Sequence, residues 1–435
     1  MKLIPAFIYK HIADRPHLLQ ILSNGGWLFL DKLIRMAGGL LVGVWVARYL
    51  GPEQFGLMSY ALAITALFGS IAALGLPGII VRDLLQKPEK AGVTLGTAFL
   101  LQLLGGLLAF LFSIAAISIL RPADELSRMM VAILGFVWVF KASDVVKYWF
   151  ESQVKSKYVV WIENGVFIFL AATRLALVIS EAPIIAFLWA ALAEAALTAF
   201  FLLRIYSRKA AALSCWQASL SEAKSLLNES WPLILASVAS IINMRMDQIM
   251  LGTMVDDSVV GNYSAAVRLA EVWLMFPGII GASVYPAIIA AKLQSEIQYR
   301  YRILQITKIM AACVIPMAII ISLLSDRITN LIYGQQFSSA GQYLAIYIWT
   351  GVPYLIFFVL NQMLHIEGLL KNVIAVSIFT VLVNLLLNYI LIPRFGGVGA
   401  AFATLTTTSL SIMLYIIILE LKTGIFFKKS SYFSN

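Results

Sequence analysis

Apolar residues in this chain fall in runs of 18 to 28 broken by short polar stretches, with no alternation in which every second position is polar. A helix needs about 20 apolar residues to cross the roughly 30 Å hydrocarbon layer, whereas a membrane strand needs only about 10 of alternating character. The pattern therefore predicts an all-α integral membrane protein, because helices satisfy every backbone N–H and C=O internally. It places about twelve helices near 22–49, 56–80, 92–119, 127–150, 158–180, 183–206, 226–252, 260–290, 303–324, 340–366, 372–392 and 398–421. The longest polar connection, 207–225, divides them into an N-lobe over 22–206 and a C-lobe over 226–421. A cytoplasmic leader over 1–21 and a cytoplasmic tail over 422–435 complete the expected layout.

Basic residues then fix the expected orientation. Alternate connections carry Lys2, Lys10 and Arg15, Arg82, Lys87 and Lys90, Lys147, Lys155 and Lys157, Arg204, Arg208, Lys209 and Lys224, and further basic groups ending at Lys429. The intervening connections hold only Arg48, Arg121, Arg128, Arg327 and Arg394. Positive charge stays inside, so both termini are expected in the cytoplasm. Residues 1–20 read as an amphipathic leader with no cleavage site following, not as a signal peptide.

Composition agrees: 61% of residues are hydrophobic and 12% charged, against about half and a quarter in soluble domains. The net charge of +10 is scattered singly along connections, which excludes a nucleic-acid patch and reads as topology. The two cysteines, Cys215 and Cys313, have no partner spacing for a metal or a disulfide framework. There is no GxxxxGK[ST], HExxH or GxSxG, so neither nucleotide hydrolysis nor a familiar hydrolase is encoded, and transport rather than catalysis is expected. No resident cofactor is expected; a proton or Na⁺ gradient would supply the drive.

At an offset of 205 residues, Gly56, Ser59 and Ala61 align with Gly261, Ser264 and Ala266, a hint of an internal repeat. The same region carries a more specific signal. The run VARYLGPEQFGLMSYALAI over 46–64 resembles the opening signature of bacterial polysaccharide repeat-unit flippases, the O-antigen transporters. RMDQIMLG at 245–252, GNYSAAVRLAEVW at 261–273 and GGVGAAFATL at 396–405 resemble the seventh, eighth and twelfth helices of that family. The resemblance implies the multidrug/oligosaccharidyl-lipid/polysaccharide exporter superfamily, with two six-helix lobes in a V around a central cavity and alternating access. It also implies the substrate: an undecaprenyl-pyrophosphate-linked oligosaccharide, turned from the cytoplasmic to the periplasmic leaflet of the inner membrane. A polysaccharide polymerase would then be its downstream partner.

Charged residues inside the predicted spans suggest where such a substrate binds. Lys32, Arg35, Lys141, Arg174, Arg245, Arg268 and Lys308 all fall there. Each would cost on the order of 3 kcal/mol if it faced lipid, so each needs a partner or a wet cavity. Asp31, Asp144, Glu194, Asp247, Glu271, His365 and Glu367 are available. Asp31 and Arg35 are four apart, Lys141, Asp144 and Lys147 are three apart, and Arg268 and Glu271 are three apart, so each set shares one helix face. A pyrophosphate leaving water needs donors to replace its hydration, and arginine offers them as a planar fork. Lining helices implied by the resemblance make Arg35 and Arg268 the first headgroup contacts, with Arg174, Lys141 and Arg245 next. Asp31 and Glu271 are the candidates for ion coupling, and Asp247 reads as a counter-charge to Arg245. Gly39 and Gly43 form a GxxxG expected to pack closely. Pro77, Pro232, Pro277, Pro286, Pro316 and Pro353 are expected to bend spans.

Two other readings compete. A multidrug/cation antiporter of the same superfamily would favour an acidic, aromatic cavity, against the surplus of intramembrane Lys and Arg. A membrane polymerase or ligase of lipid-linked polysaccharide would need a large outer loop, and the longest such connection here is 120–127.

Overall fold

The computed structural model describes residues 16–210 and 212–423. Of the predicted leader and tail, residues 1–15 and 424–435 lie outside the described residues. Within that range the chain is all-α: α1 Pro16–Ala73, α2 Pro77–Gln86, α3 Ala91–Leu120, α4 Glu125–Phe140, α5 Val145–Ser152, α6 Lys157–Ile179 and α7 Ile184–Lys209. They are followed by α8 Leu220–Met254, α9 Asp257–Gln294, α10 Glu296–Tyr333, α11 Ala340–Tyr347, α12 Gly351–Ile366 and α13 Leu370–Thr423. Residues 16–21, assigned to the leader by hydropathy, are helical and continue without a break into the first predicted span as part of α1.

Nine helical stretches among the described residues are long and apolar enough to cross a membrane. Two of them, Gly25–Gln86 and Lys371–Lys422, are 62 and 52 residues long. At about 1.5 Å per residue each is far longer than one crossing requires. Each contains a glycine in a conformation closed to most side chains: Gly51 (φ 71°, ψ 173°) and Gly396 (φ 55°, ψ −132°). The predicted pairs 22–49 with 56–80 and 372–392 with 398–421 are thus joined through glycine, without an intervening loop.

Proline is a poor guide to the other breaks. Pro77 opens α2, but Pro232 and Pro316 lie inside continuous helices. The interruptions fall at Leu74–Gly75, where both residues have positive φ, and at two short 3₁₀ segments, Lys141–Asp144 and Ile348–Thr350. The first 3₁₀ segment divides the fourth predicted span into α4 and α5, and the second divides the tenth into α11 and α12. Asp124 starts α4 as a helix cap, its carboxylate accepting from Ser127 N at 2.9 Å.

The chain divides into two compact units. One comprises the described residues up to Leu50 together with those of Ala61–Ile241; its core includes Leu76, Ile80, Leu95, Val145, Phe150, Leu202 and Tyr206. The predicted polar connection 207–225 is bound into this unit: Ser219 N donates to Thr97 Oγ1 at 3.0 Å, and Trp216 packs on Phe99 and Tyr206. In the GxxxG of α1, Gly39 has open space around it, and the close approach is at Gly38, against the Phe167 ring.

The other unit comprises Gly51–Tyr60 and the described residues from Ile242 onward, with a core around Tyr299, Met310, Leu355, Met363 and Tyr415. Within it Gly56 and Gly261, the pair aligned by the sequence repeat, meet backbone to backbone. A Cβ on Gly56 would strike the Asp257 carbonyl, and one on Gly261 would strike the Pro52 carbonyl. Large apolar side chains such as Leu41, Trp45, Phe169, Leu323 and Leu386 are exposed, the inverse of a soluble surface and the expected face toward lipid.

Candidate functional site

Three helices and the 3₁₀ break bring charge together in the first unit. Arg35 and Asp31, one turn apart on α1, pair at 3.0 Å, and Asn164 of α6 donates to the same Asp31 oxygen at 2.8 Å. Arg35 also reaches Glu163 of α6 at 3.4 Å. Glu163 in turn pairs with Lys147 of α5. Lys147 binds Asp144 at 2.9 Å, and Lys141 approaches the other Asp144 oxygen at 3.9 Å. Cations and carboxylates therefore alternate across α1, α6, α5 and the 3₁₀ turn.

This chain of charge borders a cavity of about 130 Å³, lined by Arg35, Lys141, Asp144, Glu163 and Glu194. Val137, Phe140, Ala191, Ala195 and Thr198 form the less polar wall. The cations are the more accessible members: the Arg35 and Lys141 side chains are 35% and 45% exposed, against 13% for Glu163 and 16% for Asp31. Arg35 and Lys141 are thus more open than the carboxylates they pair with. Arg174 stands outside the lining and pairs with Glu194 at 2.7 Å, so its place is behind that carboxylate.

The second unit carries the other predicted residues. Arg268 lies over the Phe55 ring, 4.9 Å from its centroid, a cation–π arrangement. Glu271, three residues on along the same helix, pairs across to Arg245 of α8 at 3.5 Å. Glu271 therefore takes the place expected of Asp247 as the counter-charge to Arg245. Asp247 turns instead into a buried polar cluster, accepting from Tyr263 OH at 2.6 Å, Thr404 Oγ1 at 2.5 Å and Asn388 Nδ2 at 2.8 Å. Asn384 and Thr407 extend the cluster. One carboxylate among amide and hydroxyl oxygens is donor chemistry for a small hard cation. Among the described residues no group of three or more His, Cys, Asp or Glu could hold a metal ion.

Sequence reasoning passed over Glu163 and Asn164, although a Glu-Asn pair within VVWIENGVFIF is a visible polar break in an apolar span. It undervalued Asp247, whose partners come from α9 and α13 and share no spacing with it.

A family described as "Polysaccharide biosynthesis protein" matches residues 21–292. A protein of Haloferax volcanii named as a probable low-salt glycan biosynthesis flippase is 27% identical over 199 residues, 45% of this chain and 42% of that one. A protein of Shigella dysenteriae, named provisionally as an O-antigen transporter, is 27% identical over 191 residues, 43% of this chain and 47% of that one. These matches span less than half the length of either relative. Among solved structures, an inward-facing multidrug resistance MATE family transporter of the MOP superfamily superposes with a TM-score of 0.73 at 15% identity, covering 92% of this chain and 99% of that chain. The lipid II flippase MurJ, inward closed, gives 0.73 at 16% identity, covering 90% and 87%.

Proposed function

The chain belongs to the polysaccharide biosynthesis protein family, and from that premise we propose that it is a flippase for undecaprenyl-pyrophosphate-linked oligosaccharides. It carries them from the cytoplasmic to the periplasmic leaflet of the inner membrane by alternating access, with both termini in the cytoplasm. It is a transporter, not an enzyme, and hands its cargo to polysaccharide polymerase machinery.

The observation that carries this reading is the cavity where Arg35 and Lys141 offer accessible cations inside a membrane-spanning unit. An anionic diphosphate cannot enter hydrocarbon without replacing its hydration. Arg35 supplies a planar fork and Lys141 a mobile ammonium, each making charge-assisted bonds to phosphate oxygens. Arg268 and Arg245 are the candidate headgroup cations of the second unit, and in the first Arg174 supports the cavity through Glu194. Asp31 and Glu271 are the carboxylates assigned to a coupling proton or Na⁺, and the oxygen cluster at Asp247 is a further place for such an ion. The multidrug/cation antiporter reading is disfavoured because Asp144, Glu163 and Glu194, the carboxylates of the cavity, are each paired with a cation already.

The test is a deletion in a polysaccharide-producing host, with radiolabelled lipid-linked units assayed by leaflet in everted and right-side-out vesicles. Units should accumulate on the cytoplasmic face. Units that cross normally but fail to lengthen would place the protein with the polymerase instead.

A further inference from the structure

Glu163 is an anion at the centre of a site read as binding an anion. Its two oxygens serve two different helices, one reaching Arg35 of α1 and the other Lys147 of α5. Glu194 also pairs between helices, but with the single cation Arg174, and the other neighbouring carboxylates are local by comparison. Asp31 pairs with Arg35 one turn away on its own helix, and Asp144 pairs with Lys141 and Lys147, each three residues away. Those local pairs persist wherever their segment goes, whereas the Glu163 bridges depend on α1, α5 and α6 keeping their places.

Arg35, Lys141 and Lys147 are matched in charge by Asp31, Asp144 and Glu163, so the cluster is neutral on its own. A diphosphate approaching Arg35 must compete for a guanidinium that Glu163 already pairs with. We propose that Glu163 is the internal competitor of the substrate's phosphates: it holds Arg35 and Lys147 between cargoes, yields them when a headgroup arrives, and reclaims them to release it. Glu163 is thus a positioning residue that sets release, and this inference rests on the anion-binding reading above.

The test compares the full-length protein with R35Q, E163Q and E163D in lipid nanodiscs, using farnesyl pyrophosphate as the probe. Removing the competing charge in E163Q should tighten binding by about tenfold, the lower end of what one charge-assisted bond is worth, expressed mainly as slower dissociation. E163D keeps the charge but loses one methylene of reach, and should fall between E163Q and the parent. Vesicles containing E163Q should flip native units more slowly despite the tighter binding. A merely structural role cannot produce this result, because damage to the site weakens binding.

If the parent binds, R35Q weakens binding and E163Q binds no tighter than the parent, the competitor role is overturned while the anion site stands. If the parent and R35Q bind alike, or neither binds, the anion site itself fails and the inference falls with it. Should E163Q not yield folded protein, E163D carries the decision: affinity equal to or below that of the parent overturns the proposal.

Discussion

Alanine at Gly56 or Gly261 should each destabilise the protein, and the two together should cost far less than their sum. A Cβ on Gly56 meets the Asp257 carbonyl, with Gly261 N at 2.7 Å; on Gly261 it meets the Pro52 carbonyl, with Gly56 N at 3.1 Å. Backbone lies on both sides, so no side chain can swing aside and the segments themselves must separate. Overpacking of this kind costs about 1–3 kcal/mol, and a backbone obstacle argues for about 3. Once one methyl has forced the segments apart, the second enters space already opened. The double variant should therefore cost about 3–4 kcal/mol where independent sites would give about 6, a coupling of about 2–3 kcal/mol. Equilibrium unfolding in mixed micelles, following tryptophan fluorescence, measures all four corners of the cycle. Strict additivity, or a single-variant cost below about 0.5 kcal/mol, would refute the mutual approach of these two backbones.

Charge reversal at Arg35 or Lys141 should abolish unit translocation in the leaflet assay while membrane insertion, followed by fractionation, is unchanged. Asp247→Ala should lower stability by about 3 kcal/mol, because it takes the shared acceptor from the buried Tyr263 hydroxyl and from one Asn388 N–H, while Thr404 falls back on the Ala400 carbonyl; Asp247→Asn should cost less, and thermal unfolding of both variants checks this order. Asp124 is pushed up by burial but more strongly down by its bonds from Ser127 and by Arg121, leaving it below the usual carboxylate range. Its contribution is complete above the unfolded value of about 3.9 and is lost as pH falls through the folded value. Hydrogen-exchange protection of the Ser127 N–H should fall only in that acidic window, and Asp124→Ala should remove about 1 kcal/mol of cap stability at neutral pH.

Hydropathy located the helices well where lipid sets their length. The predicted 92–119 and 158–180 correspond to Ala91–Leu120 and Lys157–Ile179 within a residue or so. It marked the breaks at 50–55 and 393–397 but not their backbone conformation, and it missed breaks inside apolar runs. Gly51 and Gly396 turn the path without a polar loop, and Lys141–Asp144 tightens into a 3₁₀ turn inside an apolar run. Charge pairs within one helix were legible because spacing by three or four places side chains on one face, as at Asp31 and Arg35. Pairs between helices were not. Nothing in the spacing of Arg245, Asp247, Glu271 and Thr404 says that Glu271 turns to Arg245 while Asp247 joins Thr404.

The alternating charges of the first unit also constrain how this protein can diversify. Replacing any one of Arg35, Glu163, Lys147 or Asp144 puts a partly buried cluster one charge out of balance, and exchanges in compensating pairs restore that balance. Val137, Phe140, Ala191, Ala195 and Thr198 are tied to no such partner by charge. Drift and selection can reshape that wall one substitution at a time, leaving the balance of charge beside it intact.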